Sequence, residues 1–431
     1  MKKHFLLIIF TITCSFALVA KNYYADSKNG LDSNDGSLPA QAWKSFAKVK
    51  EAPLIAGDTV FFKAGSLFIQ NNQFDINKSG KPSAPIVYTS YGIGSKAQFV
   101  NTNTSHRALG IVINANWVVI DGLMVKDIGN AAISIKGGGG SAVIRNCELT
   151  NSGEGVILNG KYNLVTKCYI HHLKMIVNDL APDNDFGAAA IVVYQGNNEI
   201  SYNRMDSCFA PSYDYGEDGG AIELYAEANV TIDSCYFHHN IAYDTDGFLE
   251  AGGKPSSVIK GIRVAYNQYI NKRGAVISWL HFLSGGNFGL DIQDIRYENN
   301  TFVAISPTFK NFGAIGWDGI PKSNSALTMR NNIIYTGNRG LIVSGPGKFT
   351  SLHNLYYKSD GTKTIGFILD ATDQIINPLF ENLDVNNYLL QLKSPAINKG
   401  MELGYKIDIE NKQIRALPDQ GAFEYQLNRT K

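Results

Sequence analysis

The chain has 431 residues, with 39 Lys and Arg against 38 Asp and Glu and a formal net charge of +1. That near balance gives no support for a nucleic-acid binder, which would need a basic face. Its 42 glycines and 11% aromatic content, with short β-rich runs and no long heptad pattern, point to an all-β chain with many turns.

Residues 1–20 read as a signal peptide: Lys2 and Lys3 open it, an apolar stretch from Phe5 to Val19 follows, and cleavage is expected after Ala20 or Ala17. The stretch is short for a membrane span, and nothing later in the chain resembles one. The mature protein, residues 21–431, is therefore expected to be secreted or periplasmic and to form a single domain. Within residues 21–65 the run WKSFAKVKEA has the pattern of a short amphipathic helix, with Trp43, Phe46 and Val49 on one side. Such a helix is placed to cover the open end of a repeat array.

From residue 117 the chain restates one phrase: WVVIDGLMV, SAVIRNCEL, NLVTKCYI, NEISYNRM, VTIDSCYF, GIRVAYNQYI, DIRYENNTF, LTMRNNIIY and FTSLHNLYY. The pivots are Gly122, Cys147, Cys168, Asn203, Cys235, Asn267, Asn300, Asn332 and Asn354. The shortest gaps, 21 to 25 residues, fit one coil of three short strands and three turns; gaps of 32 to 35 fit the same coil with a loop added. A coil of this size cannot bury its own core and must stack on its neighbours. The reading is a right-handed parallel β-helix, in which a column of Asn at a bend bonds up and down the stack. Cys147, Cys168 and Cys235 are read as small core residues in that column, with a Cys147–Cys168 disulfide as the alternative.

A second phrase follows each pivot, among them GEGVILNG, GAAAIVVYQG, GGAIELYAE, DGFLEAGG, GAVISWLHF and GAIGWDG. Aligned by column, it places Glu223 and Glu250 at one position on adjacent coils, with Val192, Ile277 and Gly316 above and below. Alternation along the strand turns Ile222, Leu224, Leu249 and Ala251 inward and both glutamates outward. Two carboxylates one strand spacing apart repel, so one keeps its proton near neutrality. That suits an acid/nucleophile pair of a retaining glycosidase. A pair of plain surface glutamates and a calcium site are the alternatives.

Loops at 177–187 and 210–219 carry Asp183, Asp185, Asp214 and Asp218, and Asp244 and Asp246 precede Glu250. With a further loop at 282–291 they are expected to wall a groove over the glutamate face. Glu223, Glu250, Asp218 and Asp246 are the catalytic candidates. Trp279, Trp317, Tyr225, His239 and Arg273 are the substrate-binding candidates, the aromatics being suited to stacking on sugar faces, with Tyr194 and Asp318 beside them. The pairs His171–His172 and His238–His239 are placed at equivalent strand ends, with neighbouring rings pointing opposite ways.

The opening D-S-x-x-G, A-W-K-S and G-D-x-V-x-F-K-A-G phrases, and the closing SPAINKG…DIENKQIRALPDQGAFEY within a closing segment of about 385–431, resemble the ends of the pectate-lyase-like β-helix superfamily. That resemblance implies the fold and a carbohydrate-directed role; its members include lyases, hydrolases, epimerases and adhesins. The leading expectation is a monomeric, exported enzyme that hydrolyses glycosidic bonds in a polysaccharide without a required cofactor. The rival is a calcium-dependent polysaccharide lyase. Residues 244–250 are similar to a lyase calcium motif, so Asp244, Asp246 and Glu250 would bind Ca2+, with Lys254, Arg263, Lys272 or Arg273 as the base. A non-catalytic glycan-binding β-helix is the third reading.

Overall fold

The computed structural model describes residues 19–273, 280–283, 289–305, 315–318, 326–337, 349–362, 367–414 and 417–426. Among these, three parallel sheets wind into a β-helix, each coil adding one strand to each sheet. Sheet A runs from Asn22–Ala25 to Phe349–Leu352, sheet B from Leu67–Gln70 to Gln374–Ile375, and sheet C from Phe74–Ile76 to Ile315–Asp318. The core is the inward side of all three, a continuous column of Val, Ile, Leu, Phe and Ala. No described helix is long and apolar enough to cross a membrane.

The helix expected near the N-terminus spans Phe46–Glu51, with the Ser45 side chain accepting the Lys48 N–H as its cap. Phe46 packs on Phe62, Phe74 and Phe99, so the first coils end in an aromatic plug beneath the helix. Trp43 stacks on Tyr23 beside it. An uncovered end of the solenoid would expose these rings and open strand edges to water.

The bend between sheets A and B is a two-residue device repeated coil after coil. Its first residue is left-handed: Asn146, Lys167, Tyr202, His239, Tyr266, Asn299, Asn331 and His353 all have φ between 51° and 58°. Its second is the buried ladder residue. Asn203, Asn240, Asn267, Asn300, Asn332 and Asn354 stack so that each side-chain oxygen accepts the preceding rung's backbone N–H at 2.9–3.0 Å. The side-chain NH2 groups cap strand carbonyls such as Phe237 and Val264. The column ends on Asp373, whose Oδ1 accepts from Asn354. A left-handed non-glycine residue costs about 1–2 kcal/mol, and the ladder bonds offset that cost at each turn.

Two register expectations need correction. Cys235 is not a rung: Asn240 fills that place, and Cys235 lies at the opposite edge of sheet A, beside Asn198. The stretch 231–240 holds two bends, since both Thr231–Asp233 and Tyr236–His238 pair with Val258–Ala265. The His pairs are not equivalent either, because His171 ends a strand of sheet B and His238 ends one of sheet A. Nor do neighbouring rings diverge. The left-handed turns at His172 and His239 bring each pair together, with Nδ1···Nδ1 contacts of 2.8 Å. The four described cysteines are free buried thiols, with no Cys147–Cys168 disulfide.

The C-terminal segment does not simply close the last coil. It runs back along the column of left-handed bend residues: His353 meets the Lys399 carbonyl, Asn331 that of Met401, Asn299 that of Asp419, His239 that of Asp408, and Tyr202 the Asn411 side chain. Tyr202, His239 and Tyr266 stack as the platform beneath it.

Asn267→Ala is expected to leave the Asn240 N–H and the Phe237 carbonyl without partners in a dry corner. The loss should be about 3 kcal/mol in chemical denaturation. A loss within the noise of a surface substitution would mean that the ladder is incidental.

Candidate active site

Sheet C carries the paired glutamates. Ile222 pairs with Leu249, Glu223 with Glu250 and Leu224 with Ala251, so the two glutamates share one column on adjacent strands, which lie about 4.8 Å apart. The four flanking residues are buried and both glutamates are partly exposed, as alternation requires. The column continues through Val192 on one side and His281 and Gly316 on the other. His281 therefore stands at the register position expected for Ile277, which lies outside the described residues. The insertion before this strand shifts the alignment: Leu280, not an earlier apolar residue, pairs with Leu249.

Two hairpins flank the glutamates. Met175–Val177 pairs antiparallel with Phe186–Gly187, and Phe209–Ser212 with the start of Gly216–Ala226. Asp185 knits the two together. Its carboxylate accepts the N–H groups of Asp179, Tyr213 and Asp214 and the Ser212 hydroxyl, and hydrogen bonding holds it below the usual carboxylate range despite some desolvation. Asp214 accepts from the Asn184 and Asp185 N–H groups, and Asp183 from the Tyr215 hydroxyl. These three loop aspartates thus hold the hairpins to each other.

Asp218 is different. It lies on the returning strand of the second hairpin, paired with Ala210, and accepts the Gly219 N–H at 2.7 Å. Gly219, at φ +132°, passes so close to the chain that a Cβ there would lie 2.8 Å from the Cys208 carbonyl. Burial, then the charge of Glu250, push the Asp218 carboxyl up to about 7. Asp246 is buried, its Oδ1 has no partner, and burial followed by Asp218, Glu217 and Glu250 holds it well above its ordinary range. Glu223 is likewise held well above the usual range, first by burial, then by Glu250, Glu154 and Asp218. Arg273 enters this acid cluster from the end of strand Gln268–Asn271, bonds Glu217 and lies over the Phe209 ring.

Several expected residues fall elsewhere. His239 is buried under the C-terminal segment, and burial then His238 push its imidazole down to about 4, so it is a packing residue and not a sugar ligand. Trp317 pairs with Phe282 and so takes the register of buried Ala251 and Leu224, one place off the outward column. Asp318 pairs with Leu283 instead. Trp279 lies outside the described residues. Tyr225 does face outward, two residues beyond Glu223, with Tyr194 edge-on at 6.1 Å. The calcium set does not assemble. Asp244 Oδ1 accepts the Lys272 N–H, and among the described residues no three His, Cys, Asp or Glu groups converge as metal ligands. Of the candidate bases, Lys254 pairs with Glu227, Arg263 with Glu298 on sheet A, and Lys272 reaches the Leu383 carbonyl; Arg273 alone of the four joins the acids.

Glu154 and Glu217 are acids of this site that the sequence reading passed over. Glu154 opens strand Glu154–Leu158 on the same sheet, is 5% exposed, and its Oε2 has no partner. Burial pushes its carboxyl up to about 7. The phrase GEGVILNG shows an acid at the strand start, but nothing in it reveals that hairpins from later coils will bury it.

A family model described as a right handed beta helix region matches residues 109–278. No curated protein matches the chain. Among solved structures, the pectate lyase Pel9A superposes with a TM-score of 0.65 at 18% identity, covering 95% of this chain and 97% of that one. A rhamnogalacturonan lyase gives 0.53 at 16%, covering 84% and 91%, and a complex of XylC with xylose gives 0.53 at 10%, covering 93% and 98%. The chain has a right-handed parallel β-helix fold.

The raised carboxyl groups couple folding to pH. Glu154 titrates near 7 in the folded chain against an ordinary 4.5. Its contribution to stability is fully present below the lower value and is lost as pH rises through the higher one, a difference on the order of 3 kcal/mol. Asp218 has the same sign. The melting temperature is expected to fall between about pH 5 and about pH 8, and Glu154→Gln to flatten that slope. A melting temperature that rises over this interval would contradict the burial of these acids.

Proposed function

We propose that this protein is an exported enzyme that cleaves glycosidic bonds in a polysaccharide by hydrolysis, with Glu223 and Glu250 as its reacting carboxyl groups. The observation that carries the reading is their register pairing on one outward face, with burial and Glu250 holding the Glu223 carboxyl well above its ordinary range. Glu223 is the general acid, protonating the oxygen of the departing sugar. Glu250, one strand away, attacks the anomeric carbon or directs water to it. A spacing near 5 Å favours direct attack and retention of configuration. Asp218 lies beside the pair and adds to the field that favours the proton on Glu223. Tyr225 and Tyr194 offer ring faces beside the acids for a neighbouring sugar.

A lyase acting on a uronate polymer is the second reading, and Arg273 among the acids is the observation that favours it. The lyases that share this fold act on polysaccharides bearing such groups, which keeps the substrate class open between neutral and acidic glycans. The hydrolase leads because the acids at the site outnumber the cations and the calcium triad does not converge.

The test is a panel of neutral and acidic polysaccharides, with reducing ends and ultraviolet absorbance followed with and without a chelator. Reducing ends without an unsaturated product are expected, and Glu223→Gln and Glu250→Gln should each lower kcat by about a thousandfold. Chelator-sensitive unsaturated product would establish the lyase instead. The rate of the native enzyme should fall on the alkaline side as Glu223 loses its proton.

A further inference from the structure

Glu154 has no part in the reaction as described, yet its position relates it to Glu223. Strand Glu154–Leu158 lies two coils before Gly216–Ala226 on sheet C, and Glu250 lies one coil after it. Glu223 therefore has an acid on an earlier coil as well as on the next, Glu154 lying in the register column of Gly220, three residues from Glu223. Orientation follows from the neighbouring glycine. A Cβ on Gly155 would meet the core residue Ile170, so Gly155 faces inward and Glu154 faces out, toward the side that carries Glu223. Ala131 is its register partner on one coil, and Ala189 and Gly220 continue that place on the next two, so the side chains around it are small. It is buried, and its Oε2 is left without a protein partner. A carboxyl group in that condition serves no packing purpose that Gln or Leu would not serve better.

We propose that Glu154 is a positioning residue that keeps Glu223 in its proton-bearing form, acting as a charge from the earlier coils of the same outward face. This rests on Glu223 being the acid of the proposed reaction. The charged and titratable groups on the elements packed here are Asp218, Glu217, Glu227, Glu250, Asp246, Tyr194 and Tyr225. Lys174 precedes the first hairpin, Lys254 is paired with Glu227 and Arg273 with Glu217. His281 holds the next register position after Glu250. The Tyr194 hydroxyl is raised first by burial, then by the charges of Glu154 and Glu223. A negative Glu154 makes loss of the Glu223 proton harder, so the acid survives to higher pH.

The experiment is the pH–rate profile of Glu154→Gln, together with an infrared titration of the Glu223 carboxyl that uses Glu223→Gln as the blank. The alkaline limb of kcat/KM should move down by about one pH unit, the acidic limb should stay in place, and the Glu223 titration should move with the alkaline limb. Glu154→Asp, which retains the charge but withdraws it, should give a smaller shift and serves if the Gln variant folds poorly. Superimposable profiles and titrations, or activity lost at every pH with the Glu223 titration unmoved, would overturn the assignment. The infrared titration requires no turnover. A native enzyme that hydrolyses nothing would therefore sink the proposed reaction while the Glu154–Glu223 coupling was still decided.

Discussion

Everything in this molecule depends on one recurring problem: how a chain turns a buried corner without stranding its backbone groups. The solution is a left-handed residue followed by a ladder residue, and from Asn203 onward the ladder residue is Asn. The left-handed residue turns the chain, and its N–H donates to the next coil. The Asn then satisfies the N–H and carbonyl groups that the turn leaves in the core. Because each rung bonds to the next, the ladder also locks the vertical register of successive coils. A slip by one residue would turn every outward side chain inward. The pairing of Glu223 with Glu250 is a consequence of that lock.

The acids are held together against their repulsion by the fold. Burial under the hairpins raises their affinity for protons, and each proton retained lowers the repulsion felt by the rest. Arg273 supplies a positive charge at one end of the group. The resulting site is poised to give up or accept protons near neutrality, which is what acid–base chemistry on a sugar requires. The hairpins that produce the burial are themselves fixed by loop aspartates. Acidic residues thus play two roles here: Asp183, Asp185 and Asp214 accept hydrogen bonds that hold the hairpins together, while burial raises Glu154, Asp218, Glu223 and Asp246 above the ordinary carboxylate range.

The C-terminal segment shows how one column can be used twice. The left-handed turn projects its side chain outward, so the bend residues form a strip along the solenoid. The segment binds that strip through Tyr202, His239, Asn299, Asn331 and His353. His239 looks in isolation like a proton-transfer group, but it is neutral and buried because this cover lies over it. Its role was invisible in the sequence because its partner, Asp408, is 169 residues away.

The amino-acid sequence by itself determined the coil, most of the ladder and the register of Glu223 against Glu250, since strand alternation and a repeating bend are local, periodic properties. It misplaced Cys235 where two bends occur within ten residues and either fits the repeat. It misaligned the strand after Arg273, where a run of apolar residues offers several candidates to pair with Leu249 and Leu280 is the one that does. Only the tertiary structure decided which acids meet. Asp218 and Asp246 join the glutamates, Asp244 turns to Lys272, Asp183, Asp185 and Asp214 knit the hairpins, and Glu154 is buried by chain that comes later. The physical reason is that carboxyl chemistry depends on dielectric and on distance to other charges, and both are set by residues far along the chain.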